Sequence, residues 1–475
     1  MTAVAFIVVG VAGWLLARRG LASLDGPRWA VVGFQVCLGA GIAAGLLGLL
    51  YFALLAAGKA TRPALATAEG ALMAVLGAWN VGQRLRSRQR GDRGLNGTWL
   101  LAAALTAAVA LSVAGFFEIS RRNPEGDWDA WAIWNLRARL LASGEYWAHA
   151  WSPLLHRTHP EYPLMLPLFV ARGWTYAAAP TTSVPIATAL LFQLAAIGLV
   201  VSAVALLRGT VAGLLAGIVM VANQSYLLQG PAQYADVPLS LFVLGALASA
   251  LLRSHVTESR ALLVASGLPA GLGCWTKDEG VAFFASLVTA LALTERRAGW
   301  REAAGRWRWF GTGAAPGLAA WLGFKLMLAP VVTTLAPRSV TEAAARLTDG
   351  DRYLVIATAW LQDLANWGSW WAHPILLAVI LAAGFGWDRA AFAQREFRAA
   401  TLAFALLLAA YAAVYLLTPM DLSWQLRTSL PRLCAQVWPA AVLLFMAALR
   451  VPAQAARRTT AGERHARGRG RNDLA

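Results

Sequence analysis

Residues 30 to 57 and 184 to 207 run without a single charged side chain, and that decides the medium in which this chain folds. A helix needs about twenty apolar residues to cross roughly 30 Å of hydrocarbon. Inside hydrocarbon, a helix or a closed barrel is the only form that satisfies its own backbone. Similar apolar runs recur along all 475 residues, of which 58% are hydrophobic and 14% charged, at a mean hydropathy of +0.54. A soluble domain carries more charge and less apolar bulk. The sequence therefore reads as an all-α polytopic membrane protein.

The formal charge of +17 raises nucleic acid as a partner, and its placement argues against one. Arginine collects in short segments between apolar runs and in the C-terminal tail, the pattern of loops kept on the cytoplasmic side. Arg18, Arg19 and Arg28 follow the first run. Arg84, Arg86, Arg88, Arg90 and Arg93 form the densest internal basic loop. With these inside, the N-terminus lies outside, and the first run, lacking a positive leader, is a retained helix rather than a cleaved signal. Spans are expected near 2–17, 30–57, 64–82, 98–117, 184–207, 211–228, 236–252, 261–275, 280–294, 309–330, 371–386, 399–417 and 433–449, about thirteen in all. Glu69 stands inside one of them and is expected to be paired. Cys37, Cys274 and Cys434 have no metal-ligand or redox spacing and read as small buried hydrophobes.

Three parts follow: accessory spans with a basic loop (1–97), a main transmembrane domain (98–449) with long outer segments 118–183 and 331–370, and a basic, disordered cytoplasmic tail (450–475) near anionic lipid. In the second outer segment, PRSVTEAAARLTDG reads as an amphipathic helix with a Ser or Thr start and a Gly stop. The following DRYLVIATAWLQDLANWGSWW reads as interfacial, with Trp at headgroup level.

The polar residues near span ends fall on one side in this topology. They are EGDWD and THPEY in the first outer segment, QYAD and WTKDEG at two later helix mouths, and TPMDLSWQLRTSLPRL at 418–433. Asp129 opens a helical stretch, where its carboxylate can cap the helix or take a proton from a hydroxyl. Asp127 is its helper or its substitute. Both are also candidate ligands for a divalent cation such as Mg or Mn, although no full ligand set is visible. His159, held extended by Pro160, can donate to a phosphate or a hydroxyl, with Glu161 beside it. Tyr234, Asp236 and Asp421 are further candidates for the acceptor or phosphate region. Lys277, Arg427 and Arg432 are candidates for holding a phosphate, arginine by bidentate contact. Asp421 can position one of these arginines. Trp128, Trp131, Trp134, Trp147 and Trp151 read mainly as interfacial anchors.

GDWDAWAIWNLRAR after an outward-going span, HPEYPLMLPL, the YAD block at Tyr234–Asp236 and the TKDEG block at Thr276–Gly280 together resemble bacterial membrane glycosyltransferases of the GT-C type. These belong to the broad group of protein O-mannosyltransferases and lipid A aminoarabinose transferases. The resemblance covers about residues 98–449. It implies a GT-C-like helix bundle in the bacterial inner membrane, with its site on the periplasmic face. It also implies a polyprenyl-phosphate-linked sugar donor, a lipid, glycan or protein acceptor, and inversion at the sugar. On this resemblance Asp129 is the general base, His159 lies in the acceptor or phosphate region, and Lys277 and Arg427 face the donor phosphate. A surface-glycan polymerase or ligase, and a transporter or flippase of lipid-linked substrates, are the alternative expectations. A flippase would place its polar groups near mid-membrane.

Overall fold

The computed structural model describes residues 2–81, 98–256, 260–295, 300–331, 339–369 and 372–450. The basic loop at 84–93 and the tail beyond Arg450 lie outside the described residues. The described residues are 84% helical and include no strand, only two isolated bridges.

The N-terminal part forms α1 (Thr2–Gly20), α2 (Arg28–Ala56) and α3 (Arg62–Asn80), followed by α4 (Thr98–Arg122). A π-helical turn at Ala130–Trp134 runs into α5 (Asn135–Ala142), and two 3-10 turns lead to α6 (Met165–Ala177). Next come α7 (Ser183–Arg208), α8 (Thr210–Ala222), α9 (Gln224–Leu228), α10 (Asp236–Leu252), α11 (Arg260–Thr276), α12 (Asp278–Glu295) and α13 (Trp300–Met327). The chain closes with α14 (Val340–Thr348), α15 (Gly350–Asn366), α16 (Pro374–Phe385), α17 (Arg389–Ala393), α18 (Arg395–Leu417) and α19 (Leu422–Ala448).

Seven helices among the described residues are long and apolar enough to cross a membrane: α1, α2, α4, α7, α10, α18 and α19. This is an all-α membrane protein. The apolar α8 and α16 are shorter than a full span. Burial sorts the long helices. In α10 nearly every residue is buried, so it forms the axis of the bundle, whereas α4 is apolar and largely exposed, as a face against lipid tails must be. Residues of α1 and α2 belong to the same buried apolar cluster as α7, α10 and α19.

Ser339 caps α14 through the Glu342 amide, as the start signal predicts. Gly350, expected as a stop, instead opens α15, because Asp349 accepts from the Asp351 amide and restarts the helix.

Glycine sets the approach of α11 to α13. Gly267 and Gly271 face Gly313, Ala314 and Gly317 so closely that a Cβ on any of these glycines would overlap the opposite backbone. Small residues four apart on both helices permit this contact in the absence of a hydrophobic drive between helices. It fixes where α13 ends, and that end delivers Lys325 to the polar site.

Candidate functional site

Asp236 is the centre of the polar site. It occupies the first turn of α10, where free backbone N–H groups and the helix dipole favour a carboxylate. It is fully buried, and so it requires partners. Lys277, between α11 and α12, places Nζ 2.9 Å from Oδ1, while Nε of Arg432 on α19 lies 3.2 Å from Oδ2. Nε2 of Gln436 also donates to Oδ1. The Tyr411 hydroxyl donates to Oε1 of Gln436 at 2.6 Å, which fixes the amide with its N–H toward Asp236.

Two further carboxylates border this core. Lys277 also contacts Oε1 of Glu279 at 2.7 Å. Arg432 sends Nη2 to Oδ2 of Asp129 at 2.7 Å, and its guanidinium lies 4.6 Å from the centre of the Tyr234 ring. Burial first, then Asp129, pushes the Tyr234 phenol up to about 12.

Gln233 explains how segments about a hundred residues apart meet here. Its Nε2 donates to the Pro124 carbonyl at 3.0 Å and its Oε1 accepts from Asn135 at 3.2 Å, while the Asp127 amide donates to the Ala232 carbonyl at 3.2 Å. Gln233 adopts φ 60 to do so. Gly126, at φ 74, lies where a Cβ would press on the Ala232 carbonyl. Asp129 then leads into the π-helical turn, a feature that recurs at functional sites because it re-aims side chains.

A second cluster adjoins the first. Lys325 pairs with Asp278 at 2.8 Å and donates to the Glu161 carbonyl at 2.8 Å. Nδ1 of His159 lies 3.0 Å from Oε1 of Glu161. Burial raises the Glu161 carboxyl, but the His159 bond, backbone donation and Lys325 outweigh it and hold the group below the usual range. An ionised carboxylate only accepts, so Nδ1–H donates and Nε2 is left for another partner.

The His159 ring stacks on Tyr162 at 4.5 Å, and Tyr162 stacks with Trp134 at 5.8 Å. Burial raises the Tyr162 phenol well above its ordinary value, and Glu279, Asp278, Glu161 and Arg432 all act on it. Tyr162 therefore stands between the two clusters. Arg137 is wholly buried, which pushes its guanidinium down to about 9. It donates to the carbonyls of Ala150 and Pro160 at 2.9 and 3.3 Å and so ties down the loop carrying His159. Nη1 of Arg137 and Oε2 of Glu161 are buried without a hydrogen-bond partner among the described residues.

Asp129, Asp236, Lys277, Arg432 and Tyr234 thus converge, with His159 and Glu161 in the adjoining cluster. Other expectations are corrected. Asp129 makes no side-chain cap; its carboxylate is spent on Arg432. Asp127 is exposed and accepts from Asn123 at 3.0 Å, so the two acids diverge. No group of three or more ligating side chains able to hold a metal occurs among the described residues. Asp421 positions neither arginine; it caps α19 by accepting from the Trp424 amide at 2.7 Å. Arg427 is exposed, since five helical residues rotate it well away from Arg432. His159 is left-handed, φ 52 and ψ 60, rather than extended. Its bond to Glu161 and its stacking on Tyr162 favour that conformation over the pre-proline preference. Trp134 is buried in the stack instead of anchoring at an interface.

Gln436, Tyr411, Lys325 and Tyr162 were not singled out from the sequence. Gln436 had a readable signal, since it follows Arg432 by four residues and so shares its helix face. The other three are brought in by helix crossings and a loop.

No protein-family model matches this chain, and neither a curated protein nor a solved structure matches it.

Proposed function

We propose that this protein is an inverting membrane glycosyltransferase. It moves a sugar from a polyprenyl-phosphate donor to a hydroxyl-bearing lipid, glycan or protein on the outer face of the bacterial inner membrane. In this reading the thirteen-span GT-C-like bundle, the 98–449 catalytic domain, the 1–97 accessory spans and the cytoplasmic tail all stand as part of the proposal. The observation that carries it is the ion pair of Asp129 with Arg432. A carboxylate suited to accept a proton and a cation suited to hold a phosphate share one edge of a buried polar core.

The acceptor oxygen attacks the anomeric carbon as the bond from that carbon to the phosphate oxygen breaks. Asp129 takes the hydroxyl proton, and polyprenyl phosphate leaves carrying the bonding electron pair. Asp236 holds Lys277 and Arg432 in place from behind. The His159 Nε2 and the Tyr162 phenol offer a donor or acceptor to acceptor hydroxyls. A divalent cation, if used, would draw one ligand from Asp129 and the others from the substrate phosphate and water.

The test is a transfer assay with the full chain in lipid vesicles, a panel of polyprenyl-phosphate sugars and membrane-extracted acceptors. The expected result is release of polyprenyl phosphate together with a glycosylated acceptor. Release from none of the donors rejects the reading, and movement of intact donor across the vesicle wall assigns the chain to transport.

A further inference from the structure

The three cations considered for the donor phosphate stand in very different surroundings. Lys277 is enclosed between Asp236 at 2.9 Å and Glu279 at 2.7 Å, with its side chain 4% exposed. Arg427 is exposed, and no carboxylate contacts it among the described residues. Arg432 stands between these extremes, its side chain 19% exposed and its donors divided between two carboxylates of unequal standing. Asp236, on its Nε side, is 0% exposed and also held by Lys277 and Gln436. Asp129, on its Nη2 side, is 15% exposed and has only Arg432 as its ion-pair partner among the described residues.

We infer that Arg432 is the group that takes the donor phosphate, and that it does so by exchanging Asp129 for a phosphate oxygen, so that donor binding frees the base. This deepens the glycosyltransferase reading and rests on it. A guanidinium offers several N–H groups in a rigid fork. A phosphate oxygen entering at the Nη2 edge replaces one partner and leaves the Nε bond to Asp236 intact, so the arginine remains anchored while it changes clients. The Tyr234 ring against the guanidinium further restricts its plane. Asp129 sits beside the π-helical turn, where the backbone hydrogen-bond ladder is already interrupted.

The chemical consequence is order. While Asp129 accepts from Nη2, one of its lone pairs is occupied and its charge is matched. Once a phosphate has taken Nη2, the carboxylate faces the acceptor unpaired. Acceptor activation therefore follows donor binding, and the base is silent in an empty site.

Competition between Asp129 and phosphate for one cation makes a thermodynamic prediction by linkage. A short-chain polyprenyl phosphate is the probe, with the matching polyprenol as the control lacking phosphate. Both are measured by equilibrium binding to the full chain in nanodiscs. Asp129→Asn should bind the phosphate roughly five- to tenfold more tightly than the native chain, with polyprenol binding unchanged. Arg432→Gln should lose the preference for phosphate over polyprenol, and adding Asp129→Asn to it should bring no gain. Native-like elution in size-exclusion chromatography qualifies each variant, and Arg432→Lys stands in if the glutamine variant does not fold. Equal or weaker phosphate binding by Asp129→Asn, with the native chain still preferring phosphate, overturns the exchange and leaves the glycosyltransferase reading standing. No phosphate preference in the native chain overturns both.

Discussion

Arg172 and Glu69 form a two-bond ion pair, at 2.6 and 2.8 Å, with both side chains 1% exposed. Tyr176 donates to the same carboxylate at 2.7 Å, and Arg172 reaches the Ala5 carbonyl at 3.2 Å. The pair thus joins α1, α3 and α6, and α6 follows directly on the loop that carries His159. Removing one partner leaves an unmatched charge in an apolar interior, at a cost of about 3–5 kcal/mol. Glu69→Ala and Arg172→Met should each lower thermal stability in detergent sharply, and Glu69→Leu combined with Arg172→Met should recover most of the loss. Thermal denaturation followed by size-exclusion chromatography measures this, and full stability of either single variant contradicts a structural role for the pair.

Asp127 and Asp129 are separated by their surroundings more than by their chain positions. Asp129→Asn should lower transfer by about a hundred- to ten-thousandfold, the range of general-base catalysis. Asp127→Asn should cost less than about tenfold, because its carboxylate contacts Asn123 at the surface. Initial rates with a polyprenyl-phosphate sugar at saturating acceptor decide between them, and the reverse ranking would move the base to Asp127.

Apolar runs made the helical membrane class legible in the sequence, and polar residues at the ends of those runs picked out several site members, because both depend on local composition. Asp129, Asp236, Lys277 and Arg432 could each be found as polar residues at helix mouths. Their pairing could not, because it depends on which helices cross. Lys277 stands beside both Asp278 and Glu279 in the sequence; it pairs with Glu279, but α13 delivers Lys325 to Asp278, and the second partner of Lys277 is Asp236, forty-one residues away. Arg137 lies in a polar segment outside the long apolar runs, yet tertiary packing buries it completely. Gln436 is the instructive omission, since an amide within an apolar span, one turn from an arginine, is costly to bury without a polar partner.

Lys277 and Asp236 bear on stability before they bear on chemistry. Lys277→Met leaves Asp236 with Arg432, which it shares with Asp129, and with Gln436, and takes from Glu279 its ion-pair partner, so a loss of up to about 3 kcal/mol is expected from the excess negative charge. Pairing it with Asp236→Asn should restore much of that stability without restoring transfer, because Arg432 then loses its rear anchor. A thermal-shift series across the single and double variants measures the coupling. Additive losses would show that the pair is not a unit.

The His159–Glu161 bond gives a pH dependence with a definite sign. Glu161 titrates below its ordinary value in the folded chain. Its contribution to stability is therefore complete above the unfolded carboxylate pKa, about 4.3, and is lost as pH falls through the lower folded value. Glu161→Gln should flatten the acid limb of a melting-temperature profile below about pH 5 while changing little at pH 7 to 8 beyond a constant offset. An acid limb of unchanged slope would assign that limb to other carboxylates.

The glycine contact between α11 and α13 links packing to the site. A side chain at Gly271 meets the backbone of Ala314, which cannot swing aside as a side-chain tip can. Gly271→Leu should therefore push α13 outward, at an overpacking cost of about 1–3 kcal/mol or more. Because Lys325 lies near the C-terminal end of α13, the same displacement draws its Nζ from Asp278 and from the Glu161 carbonyl. Gly271→Ala, with a single methyl, should show a smaller version of both effects. Spin labels placed on α11 and near the end of α13 would read this movement as a longer inter-label distance. An unchanged distance in Gly271→Leu, together with unchanged stability, would mean that the two helices are not held at contact by their glycines.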